Sequence, residues 1–406
     1  MMTIAAFVVL VFLYSLVSRR LEHTVITAPI VFTAAGMLFI LVLPGLHDLT
    51  MQREIFRKLA EIGLVMLLFA DAARINLPTL RSGEKLPLRL LSVGMLLTIL
   101  LGAIAAQLIF PHLSIWEAGI LAAILAPTDA GLGQVIVHSP QVPLRIRQAL
   151  DVEAGLNDGL SVPFLMFFIA VSQIGTTGAG WVLLTYVVEQ LGMGALVGCA
   201  IGLAGGWLLG QARSRGWMAE SVQQLGLVTL PILSILACEP VGGSMFIAAY
   251  VAGIATQVGL KDVNVLSVEF TEGWGQFFDY FVFFLFGLLV ALAFTRFNFA
   301  HALYAILSLT VVRMIPVAVA VIGTHVSAAT VLFMGWFGPR GLASIVLGLV
   351  FLGEETHVPG EETIQLAVML TVMLSIFAHG FSALPGITLY TRKVATLAAT
   401  SPENRP

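Results

Sequence analysis

Charge is what this chain lacks. Only 11% of its 406 residues are Asp, Glu, Lys or Arg, less than half the quarter usual in a soluble domain. Cysteine is nearly absent as well. Cys199 and Cys238 fall in or beside apolar runs, which excludes a disulfide framework and any metal site of cysteine spacing. The basic residues gather into no run or stripe and sit in short joins, so nothing points to nucleic acid as a partner. No polar stretch is long enough for a separate soluble domain. What fills the chain is apolar: 58% hydrophobic residues and a mean hydropathy of +0.98. The reading is an all-α polytopic membrane protein, partnered first of all by the lipid bilayer.

Thirteen apolar segments can be marked, at about 2–18, 25–43, 58–77, 87–110, 115–138, 145–173, 181–210, 220–238, 242–259, 268–294, 299–322, 327–352 and 362–390. Each suits the roughly 20 residues a spanning helix needs. The first run is apolar from Met1 to Val17, and its charges, Arg19 and Arg20, come after it. A secretory signal has the opposite order, so a retained span with its N-terminus outside is expected. Loop charge agrees: on that topology fourteen Lys or Arg residues fall in inside loops and four in outside loops, as the positive-inside rule requires. The expected location is the cell (plasma or inner) membrane, with 392–406 as a short cytoplasmic tail.

Two segments are punctuated in their middles. The fifth reads Leu125-Ala-Pro-Thr-Asp-Ala-Gly-Leu-Gly133, and the twelfth Gly335-Trp-Phe-Gly-Pro-Arg-Gly341. They are seven segments apart, so they cross the membrane in opposite directions. Such paired interruptions are the mark of inverted repeats with discontinuous helices. The predicted layout is one transmembrane unit: repeat one over about 1–173, a linker helix over about 181–210, and repeat two over about 220–391. Its two broken helices should cross at the midplane.

Charges inside apolar runs are the next signal, because each costs roughly 3 kcal/mol to insert and by default marks a site. The stretch Ala149-Leu-Asp-Val-Glu-Ala-Gly-Leu-Asn-Asp-Gly-Leu-Ser161 carries Asp151, Glu153 and Asp158. On a helix, Asp151 and Asp158 share one face, and Glu153 and Asn157 another. Asp158 lies about 20 Å in from Arg145 at 1.5 Å per residue, near the middle of a bilayer. A carboxylate there needs a cation, a proton or an arginine. Asp129 stands where a half-helix should begin, and Arg340 where carbonyl ends should gather, so both also suit the helix dipoles. Asp279 and Arg313 sit at similar depths in segments ten and eleven and would suit a buried pair. Glu189, Gln223, Gln224 and His379 are left without a role. The small residues of Gly198-Cys-Ala-Ile-Gly202 and Gly205-Gly206 permit close helix packing, within the chain or at a dimer seam.

Taken together, Ala126-Pro-Thr-Asp129, Glu153-Ala-Gly-Leu-Asn-Asp158 and Gly338-Pro-Arg-Gly341 resemble the monovalent cation/proton antiporter family, in its electroneutral sodium/proton exchanger branch. The resemblance extends over essentially the whole chain. It implies a homodimer of inverted-repeat protomers that exchange sodium, or else lithium or potassium, for protons. It makes Asp158 the shared cation and proton site with Asn157 beside it. Asp129 becomes a second cation-site carboxylate, and Thr128 an oxygen donor to the same monovalent metal ion. Glu153 and Arg340 match a structural ion pair. Asp71 is an additional candidate acid, one place later than in many relatives, and equally suits a local pair with Arg74. Ala154 departs from a common serine and Ala130 from a common proline, and both departures bear on cation selectivity.

No enzyme and no cofactor is implied, only a transported cation. Three other classes fit the sequence less well. A channel needs a selectivity loop, and none repeats here. A sodium-coupled symporter needs an organic-substrate pocket, which composition does not exclude. An intramembrane aspartyl protease needs Gly-x-Gly-Asp and Pro-Ala-Leu, whereas this chain has Gly155-Leu-Asn-Asp158 and Ala383-Leu-Pro385.

Overall fold

A computed structural model describes residues 2–21, 24–42, 53–74, 85–137, 139–174, 179–260, 265–353, 358–397 and 401–404. Every regular element among them is helical: α1 Met2–Leu21, α2 Ala28–Val42, α3 Arg53–Arg74, α4 Lys85–Arg89, α5 Met95–Ile109, α6 Ile115–Ile124, α7 Ala130–Val137, α8 Leu144–Ile174 and α9 Ala179–Ser214. Then follow α10 Glu220–Cys238, α11 Met245–Leu260, α12 Val265–Ala293, α13 Phe299–Leu309, α14 Val311–Ala320, α15 Ala328–Trp336, α16 Leu342–Gly353 and α17 Glu361–Val394. Among the described residues, eight helical stretches are long and apolar enough to cross a membrane, and five shorter apolar helices accompany them.

The chain divides into two compact units: residues 1–53, 84–157 and 280–406 form one, and 54–83 with 158–279 the other. In the first unit both punctuated segments are broken. Segment five becomes α6 and α7, joined through 125–129, and segment twelve becomes α15 and α16, joined through 337–341. The chemistry of the breaks is local. Proline cannot donate to a helical ladder and its predecessor avoids helical backbone, so Pro127 and Pro339 end what the apolar runs would continue.

Two further interruptions are not in the predicted scheme. Leu90–Gly94 winds as a π-helical turn between α4 and α5. Segment eleven bends at Thr310 (φ −113°, ψ −91°), which separates α13 from α14. Beside the breaks lies a buried apolar cluster. Ile136, Ile146 and Ala149 meet Val317, Met334 and Tyr390 in one buried cluster.

The second unit packs by close backbone approach. A side chain on Gly194, Gly198, Gly202 or Gly206 of α9 would run into the Ser244, Ala248, Ala252 or Thr256 backbone, one contact per helical turn along α11. The small residues of segment seven are therefore used within the protomer.

Candidate functional site

The breaks meet. The Asp129 N–H donates to Pro339 O (2.8 Å), and its carboxylate serves two helix starts at once. Oδ1 accepts from Leu132 N (3.0 Å), the usual N-cap bond to the third residue of α7. Oδ2 accepts from Leu342 N (2.6 Å), the first residue of α16. Each N-terminus carries roughly half a positive charge, so one carboxylate balances two half-helices. Gly341 makes this approach possible, because a Cβ there would overlap Asp129 Oδ2.

The carbonyl ends are served in the same way. Arg340, fully buried, donates from Nη1 to Ala126 O (2.7 Å) and Pro127 O (2.9 Å), the unravelled end of α6. Trp336 O, at the end of α15, lies 2.9 Å from His379 Nε2. The compensation of helix ends read from the sequence is thus present. Arg340 crosses to the other broken helix to provide it.

Glu153 is paired, but with a different arginine from the one the motif suggested. Arg313 Nη1 donates to Glu153 Oε1 (2.5 Å) and Nη2 to Oε2 (2.9 Å), with both side chains only 4% exposed. The expected Glu153–Arg340 ion pair is replaced by this fork. The physical reason lies in the donors' surroundings. Arg340 turns Nη1 to two carbonyls of the other break, whereas α14, starting after the bend at Thr310, carries Arg313 to the Glu153 face of α8.

Thr128 and Asn157 are joined: Asn157 Nδ2 donates to Thr128 Oγ1 (2.7 Å), with both residues buried. Asp158 follows Asn157 on the uninterrupted α8, half-buried. One turn further on, Ser161 Oγ donates to the Asp158 carbonyl (2.8 Å). Pro163 lies inside the same helix. An open-sided cavity of about 20 Å³ reaches Thr128 and Asp129 and is walled by Asp151, Ala154, Phe337 and Pro339 among others. Ala154 therefore presents a methyl group where a serine would present an oxygen. Asp71 lies on α3, and its side chain is outside the described residues.

The residues brought together in the first unit are thus Thr128, Asp129, Asn157 and Arg340, with Glu153 held by Arg313. Sequence reasoning passed over His379 and did not bring Arg313 to Glu153. Both are polar residues within apolar runs, and that was their one available signal.

Two half-helix pairs crossing at their breaks, with polar side chains closing the exposed ends, define the discontinuous-helix fold of secondary transporters. The chain belongs to the sodium/hydrogen exchanger family, whose transmembrane profile matches residues 6–386. It is 26% identical over 319 residues to a Na(+)/H(+) antiporter of Schizosaccharomyces pombe, covering 68% of this chain and 65% of that protein. It is 26% identical over 389 residues to the K(+)/H(+) antiporter NhaP of Alkalimonas amylolytica, covering 92% and 64%. With the K(+)/H(+) antiporter NhaP2 of Shewanella sp. (strain MR-4) the figures are 25% over 344 residues, 80% and 56%. The chain spans about two thirds or less of the length of these curated relatives. Its fold is that of the sodium proton antiporter MjNhaP1 from Methanocaldococcus jannaschii, with a TM-score of 0.77 at 19% identity, covering 98% of this chain and 99% of that one.

Proposed function

We propose that this protein is a secondary active antiporter that exchanges a monovalent cation for protons, one for one. The observation that carries the reading is the crossing itself. Asp129 and Arg340 close the half-helix ends, and the same break presents Thr128 to Asn157, next in sequence to Asp158. Cation and proton compete for the Asp158 carboxylate, and the loaded site opens alternately to the two faces of the membrane. Asn157 holds no proton and orients Thr128 through its amide. Thr128 lends the cation oxygen, and Asp129 lends negative charge while both its oxygens accept backbone N–H groups. Asp158 is then the one carboxylate that trades its proton for the cation, which makes the exchange electroneutral.

Sodium is the first candidate cargo, with lithium or potassium next. The names of the relatives support both sodium and potassium. Family membership also supports a homodimer in the cell membrane, with inverted repeats over about 1–173 and 220–391. The loop charges support an outside N-terminus and a cytoplasmic 392–406. Asp71 is retained as an additional acid of the pathway.

The test uses proteoliposomes with an internal pH dye and an imposed pH gradient, challenged in turn with Na⁺, Li⁺ and K⁺. Cation-dependent proton flux is expected, with a pH optimum that moves to lower pH as cation concentration rises. Asp158→Asn should abolish it while the protein still inserts. Robust exchange by a correctly inserted Asp158→Asn protein would refute the assignment. Sustained voltage-driven proton movement without ion gradients would refute the one-for-one stoichiometry.

A further inference from the structure

The third side chain at the crossing, His379, belongs to α17 and is only 2% exposed. Its Nε2 faces Trp336 O at 2.9 Å. A carbonyl can only accept, so Nε2 is the donor in this contact. Nδ1 lies 3.0 Å from both the Ser375 hydroxyl and the Ser375 carbonyl. Ser375 Oγ in turn accepts the Arg340 N–H (2.6 Å). One imidazole thus grips both sides of the 337–341 break: the last carbonyl of α15 directly, and the Arg340 amide through one hydroxyl.

The consequence runs onward through bonds described above. Between those two grips lies Pro339, whose carbonyl receives the Asp129 N–H. Arg340 holds Ala126 O and Pro127 O, the two carbonyls immediately before Thr128. Thr128 receives the Asn157 amide. The path of the second break is therefore transmitted to the first, and from there to Thr128, the oxygen donor of the proposed site. The charged groups near this ring are the Arg340 and Arg313 guanidiniums and Glu153, which is already held by Arg313.

We propose that His379 is a positioning residue of the cation site, setting through Trp336 O and Ser375 the break geometry that holds Thr128 against Asn157. The inference rests on the antiport reading above. A purely structural histidine would affect how much protein folds and inserts, and leave cation affinity alone. A positioning histidine changes affinity.

The variants divide the ring's two functions. In His379→Gln the side-chain amide reaches where Nε2 stands. In His379→Asn it reaches only the Nδ1 position. Ser375→Ala removes the relay and keeps the imidazole, and as the smallest of the changes it guards against a misfolded histidine variant. Each is reconstituted for cation KM and for maximal rate per inserted protein. In parallel, hydrogen exchange is followed over 337–342 in cation-free detergent.

His379→Asn and Ser375→Ala should raise KM about tenfold, the size of one lost buried hydrogen bond, with maximal rate changed by less than about twofold. His379→Gln should stay within about twofold of the unaltered KM. The 337–342 amides should exchange faster in the two impaired variants alone. Equal KM in all four proteins, or His379→Gln behaving as His379→Asn, would overturn the inference. Unaltered hydrogen exchange in every variant would overturn the positioning itself. Absence of exchange by the unaltered protein would instead overturn the antiport reading.

Discussion

Removing Glu153 and Arg313 one at a time and then together tests the most consequential contact in the first unit. The pair is bidentate, with nitrogen–oxygen distances of 2.5 and 2.9 Å, and both side chains are 4% exposed. Taking either partner away strands the other's charge in a dry place, at a cost of roughly 3–5 kcal/mol. Glu153→Gln and Arg313→Gln should each lose about that much, since a neutral amide cannot balance the remaining ion. The double variant has no stranded charge, so it should recover on the order of 2–3 kcal/mol relative to the sum of the singles. The control cycle replaces Arg313 by Arg340. Arg340 is bonded to Ala126 O and Pro127 O, so its coupling to Glu153 should be well below that of Arg313. Unfolding in detergent micelles, followed by tryptophan fluorescence against denaturant, measures all of these. Additive losses for Glu153 and Arg313, or a larger coupling between Glu153 and Arg340, would refute the assignment of partners.

Gly341→Ala should displace the Asp129 carboxylate from Leu342 N and cost roughly 1.5–3 kcal/mol, the worth of a hydrogen bond to a charged group. In an Asp129→Ala background the same change should cost almost nothing, and an undiminished loss in the same unfolding assay would show that the clash lies elsewhere. Acid sensitivity should come from the tail. Burial pushes the Glu403 carboxyl up, but the Ser327 N–H at 2.6 Å and the Ser401 and Thr330 hydroxyls outweigh it, holding the group at about 2 against an ordinary 4.5. A lowered carboxyl pKa stabilises the fold at pH above 4.5, and that contribution is lost as pH falls from 4.5 toward 2. Melting temperature plotted against pH should therefore fall more steeply over this window for the unaltered protein than for Glu403→Gln. Parallel curves would exclude Glu403 as the source.

Much of this architecture is written in punctuation. Segment 220–238 matches α10, Glu220–Cys238, and both central breaks fall at their Pro and Gly clusters. The bend at Thr310 escaped because residues 299–314 contain neither Gly nor Pro, so the apolar run reads as continuous. The site was legible in part for a related reason. Helical spacing tells which residues share a face, and so it set Glu153 apart from Asp158. It does not tell which of two buried arginines will stand opposite, because that depends on where α14 points after an unsignalled bend. His379 was invisible as a bonding hub for the same cause. Its partners are a main-chain carbonyl and a serine, and neither carries a charge that would draw attention in a sequence.

The carboxylate of Asp129 is shared between two helix starts, and sharing has a mechanical side. A hinge works when one member can swing while the other stays put. Here α7 and α16 draw on the same anion through different oxygens, and the Asp129 main chain is tied to Pro339 besides. Swinging either half-helix away alone would forfeit a charge-assisted bond and leave a positive helix end without its counter-charge. The crossing therefore behaves as a yoke, and a conformational cycle that spares these bonds must carry both half-helices along together.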